Sequence, residues 1–148
     1  MKKIFVLLVA VALTVTTQVS ASPIIENEVV TAAFQKQFTD ATDVSWSQKN
    51  DFYLVSFKYN NDRMLAWYRP DGVVEAVQRM VQLEQMTYLA STAVQEFSKD
   101  KSLLSIAEIS KEGEIFYLVK TDDEKCVSVY KVFASGDFIR IDKTKKKK

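Results

Sequence analysis

Carboxylates come closest to a reactive grouping in this chain. Asp122-Asp123-Glu124 is its densest acidic run, and paired carboxylates can serve as general acid and base when their surroundings hold their pKa values apart. The run falls where one strand should turn into the next. Turns favour Asp for its local hydrogen bonds, so these three residues read as a solvated hairpin tip. The single cysteine, Cys126, lies in Lys125-Cys126-Val127-Ser128-Val129-Tyr130. An apolar strand of that kind favours a buried, inert thiol over a reactive one.

The other ingredients of catalysis are missing. There is no histidine, which removes the commonest general base and the Ser-His and Cys-His nucleophile pairs. One cysteine builds neither a thiolate zinc site nor an internal disulfide. Three scattered glycines leave no phosphate-binding loop, and no acidic run has calcium-loop spacing. The expectation is a protein that is not an enzyme and carries no cofactor and no metal.

What remains is chemistry suited to recognition. Arg63, Leu65, Trp67 and Arg69 alternate along one strand and therefore share a side, and Lys58 points the same way from the strand before. Two arginines flanking a tryptophan are hard to bury, and Arg and Trp commonly anchor interfaces. An internal repeat carries Trp67 to Lys131. Lys58, Arg63, Leu65, Trp67, Arg69 and Lys131 are thus the candidate partner-binding residues. Against this stands the usual fate of a large aromatic in a small domain, with Trp67 packed against the other half or under a loop.

These residues need elements to position them. Asn27 can cap a helix over 28–38, whose apolar stripe is Val30, Ala33, Phe34 and Phe38. Strands are expected at 44–46, 52–59, 63–69 and 73–80. Tyr53, Val55, Phe57 and Tyr59 lie on one side of the second, and Pro70-Asp71-Gly72 marks a hairpin after the third. A second helix over 85–97 carries Met86, Leu89, Ala90, Ala93, Val94 and Phe97 on its apolar side. Four more strands follow near 104–110, 115–121, 126–134 and 138–141.

A helix followed by four strands therefore occurs twice. Phe52-Tyr53-Leu54-Val55 recurs as Phe116-Tyr117-Leu118-Val119 at an offset of 64, and Gly72 recurs as Gly136 at the same offset. The fold class is α+β: two tandem helix-plus-four-stranded antiparallel sheet units, residues 22–82 and 83–142. One helix covers one sheet face in each, and the reverse face is open to water, to the other half or to a partner.

The ends of the chain set its compartment and charge. Lys2 and Lys3 precede an apolar run from Ile4 to Val15, and Val19-Ser20-Ala21 offers small residues for cleavage after Ala21. Residues 1–21 read as a signal peptide, too short to span a bilayer. The mature protein is expected to be periplasmic or secreted, with no integral membrane segment. The full chain has net charge +1. Without Lys2, Lys3 and the five lysines of residues 143–148, it holds 13 basic and 19 acidic residues, a net charge of −6. An acidic body argues against nucleic-acid binding. Residues 143–148 read as a basic, disordered tail.

Phe38, Ala41, Val44, Trp46, Tyr53, Val55, Phe57, Ala66, Tyr68, Asp71 and Gly72 follow a pattern that resembles the PepSY-like exported proteins, themselves similar to the β-lactamase-inhibitor-protein fold. The likeness covers 33–76 and continues more loosely through Tyr117, Val119 and Gly136. It implies tandem helix-plus-strand units outside the cytoplasm, Trp46 in a core strand beside the helix end, and binding or inhibition through a concave sheet. The inhibitor proteins are disulfide-stapled, and this chain is not, so β-lactamase inhibition is not carried over. The function expected is an exported binding module acting on an envelope or secreted protein or peptide. The alternative is a structural envelope protein or folding aid without a dedicated pocket.

Overall fold

The structure is a computed structural model and describes residues 27–146. The expected signal peptide, 1–21, lies outside the described residues, as do Lys147 and Lys148. The elements run α1 (Glu28–Gln37), β1 (Thr42–Lys49), β2 (Phe52–Tyr59), β3 (Asp62–Tyr68), β4 (Val74–Val81), a 3-10 turn (Leu83–Gln85), α2 (Tyr88–Phe97), β5 (Ser102–Lys111), β6 (Glu114–Asp122), β7 (Cys126–Phe133) and β8 (Phe138–Lys145). Among the described residues no helix is long and apolar enough to cross a membrane.

All eight strands belong to one sheet, ordered β1 to β8 as in the chain. This replaces the two separate four-stranded sheets expected from the sequence. Two sheets would leave four edges of unpaired backbone groups, and one leaves two. By compactness the chain divides into two units. One holds residues 27–80 with Ile109–Glu114, and the other holds Val81–Glu108 with residues 115–146. The β5–β6 tip, Ile109–Glu114, thus belongs to the first of these units. There the Lys111 ammonium lies 2.6 Å from the Glu75 carboxylate.

In the first unit Asn27 caps α1, its side-chain oxygen accepting from the amides of Val29 and Val30. The same side chain donates to the Pro70 carbonyl, 3.1 Å away, tying the helix start to the β3–β4 turn. The buried stripe of α1, Val30, Phe34 and Phe38, packs with Val55, Phe57, Ala66 and Tyr68, and Trp46 lies partly buried against them. Phe34 meets the rings of Trp46 and Phe57 edge-on, at centroid distances of 5.3 and 4.9 Å. Such contacts add about 0.5–1.5 kcal/mol each beyond the area they bury.

The second unit repeats the arrangement. Met86, Ala90 and Val94 pack with Ile106, Tyr117, Val119, Tyr130 and Val132, with Phe97 partly buried against them. The helix begins at Tyr88, three residues later than the periodicity suggests. Thr87 is extended and caps it, accepting from the Ala90 amide and donating to the Ala134 carbonyl at 2.9 Å. Leu89, expected on the apolar side, is exposed.

The two matched glycines close equivalent turns. The amide of Gly72 donates to Arg69 and that of Arg69 to Val73; Gly136, Phe133 and Asp137 do the same. Each is a tight turn ending in a residue with positive φ, +80° at Gly72 and +90° at Gly136, a conformation glycine adopts without steric cost.

The basic tail is a further correction. Lys143 and Lys145 lie within β8, opposite Ser128 and Cys126, and the Lys146 amide donates to the Lys125 carbonyl. Main-chain pairing with β7 extends the strand four residues past Ile141, where composition alone suggested a solvated end.

Candidate binding face

The register of β2 against β3 fixes which candidates meet. Leu54 lies opposite Trp67, Ser56 opposite Leu65 and Lys58 opposite Arg63. These three rows occupy the face turned away from α1, because Val55, Phe57, Ala66 and Tyr68 fill the helix side. Alternation along both strands therefore places Lys58, Arg63, Leu65 and Trp67 on one side.

That face is not open along its length. Trp67 is only 2% exposed, with Leu54 at 5% and Ala76, its β4 neighbour, at 2%. Of the two placements open to Trp67, burial is the one found. In the second unit Phe116, Leu118 and Val129 are likewise buried, on strand positions that alternate away from the α2 side. Apolar side chains on both faces make these strands core on both sides over part of their extent. The expectation of a wholly free reverse face is corrected accordingly.

Moving along β3 from Trp67, the face becomes accessible. Leu65 is half-buried, while Ser56, Lys58 and Arg63 are exposed. The pairing of β1 with β2 slips between Thr42 and Ser45. Within that irregularity Asp43 takes φ +52° and sets its carboxylate 2.6 Å from the Lys58 ammonium. The hydrogen bond from Lys58, then the charges of Lys58 and Arg63, hold the Asp43 carboxyl below the usual range. Both partners are well exposed, so the pair contributes little to stability. Its effect is to fix where the Lys58 charge stands.

Arg69 and Lys131 do not join this group. Arg69 lies beyond β3 in the turn, where its guanidinium bonds Asp71 at 3.3 and 3.4 Å and approaches Glu75 at 3.9 Å. Asp71 is held low first by the Val73 amide and then by Arg69. Lys131, opposite Leu118 on β7, belongs to the other unit. Its ammonium lies 4.0 Å from the Phe116 ring centroid and 4.7 Å from that of Phe133, a cation–π arrangement. The sequence reasoning missed Asp43, because a strand bulge is a pairing event with no composition signal of its own.

No family model matches the chain, and no curated protein does. Solved structures do resemble it. A proposed periplasmic protein of Bacteroides eggerthii superposes with a TM-score of 0.72 at 15% identity, covering 80% of this chain and 87% of that one. A BLIP-like protein of Bacteroides fragilis gives 0.70 at 12% identity, covering 86% and 89%. A DUF2874 family protein of Bacteroides ovatus gives 0.71 at 16% identity, covering 84% and 89%. The fold is BLIP-like. At these identities the likeness is one of fold, and the PepSY-like pattern in the sequence has no matching family model behind it.

In this BLIP-like chain the buried row of Leu54, Trp67 and Ala76 fixes the strands, and the accessible row of Lys58 and Arg63 projects from the same strands two pairs further along. Such an arrangement can present fixed cations to an anionic surface.

Proposed function

We propose that this chain is an exported, non-catalytic protein-binding module. It holds a protein or peptide partner through the accessible end of its helix-free face in the first unit, with Arg63 and Lys58 as the contact residues. The observation that carries this reading is the gradient along β2 and β3, from the buried Leu54–Trp67 row to the exposed Lys58–Arg63 row. The buried row makes the accessible one rigid, and rigid contact groups lose little entropy on binding.

Export is supported by the basic head, apolar run and small-residue cleavage site of residues 1–21, and by the fold shared with the proposed periplasmic protein of B. eggerthii. Binding is supported by the BLIP-like fold. Arg63 ranks above Lys58 as anchor, since Lys58 is already engaged by Asp43 and interface arginines more often carry affinity. Leu65, half-buried beside them, supplies apolar contact. Trp67, buried two rows further along the same side, holds in place the strands that carry them.

The test is capture from envelope extract by the wild-type protein and by Lys58→Glu/Arg63→Glu, with thermal melts to confirm folding. Loss of a specific captured protein in the folded double variant is expected. Equal capture by both would remove this face from the function and favour a structural envelope role.

A further inference from the structure

The strand that replaces the expected tail has chemistry of its own. β8 is a terminal strand of the sheet, so among the described residues its outer row of backbone amides and carbonyls has no strand partner. Unpaired strand edges template the addition of another strand. Its residues are exposed except Ile141, which is half-buried.

Pairing with β7 sorts its side chains. Phe138, Arg140, Lys143 and Lys145 lie opposite Val132, Tyr130, Ser128 and Cys126, and so share the α2 side. Ile139, Asp142 and Thr144 lie opposite Lys131, Val129 and Val127, on the reverse side. Three cations thus stand in a row on one side of the edge. Phe138 anchors the row, its ring centroid 4.7 Å from that of Phe97. The row is conspicuous in a chain whose residues 23–142 carry a net charge of −6.

Charge decides the occupant. A second copy of β8 pairing antiparallel would bring two sets of Arg140, Lys143 and Lys145 to one side, and like charges across a strand pair repel. An incoming strand with an acidic residue at every second position would meet those cations. Its alternate residues would meet Ile139, Asp142 and Thr144, where the Asp142 carboxylate disfavours further acid. An uninterrupted acidic run therefore fits less well than an alternating one.

We propose that β8 is a docking edge for an extended segment of a partner protein with acidic residues at alternate positions, added as a further strand of the sheet. This rests on the reading of the chain as a binding module but not on the Lys58–Arg63 face, from which it is separable.

The experiment is fluorescence anisotropy of the full mature chain with a labelled peptide of about ten residues alternating Glu and Val. Three comparison peptides are used: the same composition with all Glu contiguous, the alternating peptide with backbone N-methyl groups at every second residue, and an alternating Lys-Val peptide. The proposal predicts saturable one-to-one binding of the alternating acidic peptide. At least about tenfold weakening is expected for each comparison peptide, and for the chain carrying Arg140→Gln, Lys143→Gln and Lys145→Gln. Unchanged affinity of the N-methylated peptide would reduce the effect to charge adhesion and overturn it, as would absence of binding. Lys58→Glu/Arg63→Glu should leave peptide affinity unchanged. If instead that variant loses the peptide and the β8 variant keeps it, the edge is ruled out and the face stands. Peptide binding intact at β8, with partner capture indifferent to Lys58→Glu/Arg63→Glu, keeps the edge and removes the face.

Discussion

A methyl group on the α-carbon of Gly136 would come within 2.9 Å of the Leu89 carbonyl oxygen. Gly72 stands in the same relation to α1, where a methyl would lie 3.0 Å from the Val29 Cγ1 and 3.2 Å from the Val29 carbonyl oxygen. In each unit the glycine of a strand–strand turn therefore abuts the second residue of the helix. The helix cap reaches across to the same turn, from Asn27 to Pro70 and from Thr87 to Ala134. The recurrence of glycine at an offset of 64 is the sequence trace of this contact.

Gly136→Ala should destabilise the protein by ~2–4 kcal/mol, combining the left-handed backbone cost of ~1–2 kcal/mol with a clash against fixed backbone. Gly113 is the control. Its φ is also positive, +81°, but nothing lies within 4 Å of an added methyl, so Gly113→Ala should cost only the conformational part. Urea midpoints of the two variants measure the difference, and equal losses would contradict the packing at Gly136.

Trp67→Ala should cost ~3–5 kcal/mol, the range for truncating a fully buried aromatic. Its effect on partner capture should follow from unfolding alone. A stable, folded Trp67→Ala protein would contradict the burial described for the helix-free face.

Asn27→Ala should cost ~1–2 kcal/mol, the upper part of the usual range for a lost cap, because the donor to Pro70 is lost as well. Asn27→Asp keeps the cap acceptor and loses that donor, so it should fall between wild type and Asn27→Ala in thermal melts.

Asp123 governs a pH dependence at the β6–β7 turn. Its carboxylate accepts from the Cys126 thiol at 3.0 Å and from the Lys125 and Cys126 amides at 2.8 Å. These bonds, the thiol's first, lower its pKa to about 2. A carboxylate depressed in the folded state binds fewer protons there than when unfolded. Its stabilisation is therefore fully present above the unfolded pKa of about 4 and is lost as pH falls towards 2. Asp123→Asn should be less stable than wild type at pH 6, with the gap narrowing between pH 4 and 2. A gap that stays constant through that window would contradict the role of the charge.

Much of the fold was legible because alternation and helical periodicity report burial directly. Val55 and Phe57 on β2, and Val30 and Phe34 on α1, pack where their spacing put them. The face of Lys58, Arg63, Leu65 and Trp67 was legible for the same reason. Burial of Trp67 was not, because alternation assigns a side and cannot say what covers it. Flanking arginines suggested water, yet Arg63 lies two strand pairs away at the accessible end and Arg69 is drawn into the turn by Asp71. The extent of β8 was obscured by its lysines, which read as a solvated run. The repeat held the missing signal: shifting β4, Val74–Val81, by 64 residues gives Phe138–Lys145, the observed β8.

Contact of a partner with the Arg63 end of the sheet face can be observed directly. A photocrosslinking amino acid placed at position 63, and separately at the exposed Glu96 on α2, tests it in the living envelope. A discrete crosslinked species is expected from position 63 and none from position 96. Identical crosslinking from both positions, or none from position 63 in a folded, exported protein, would contradict it.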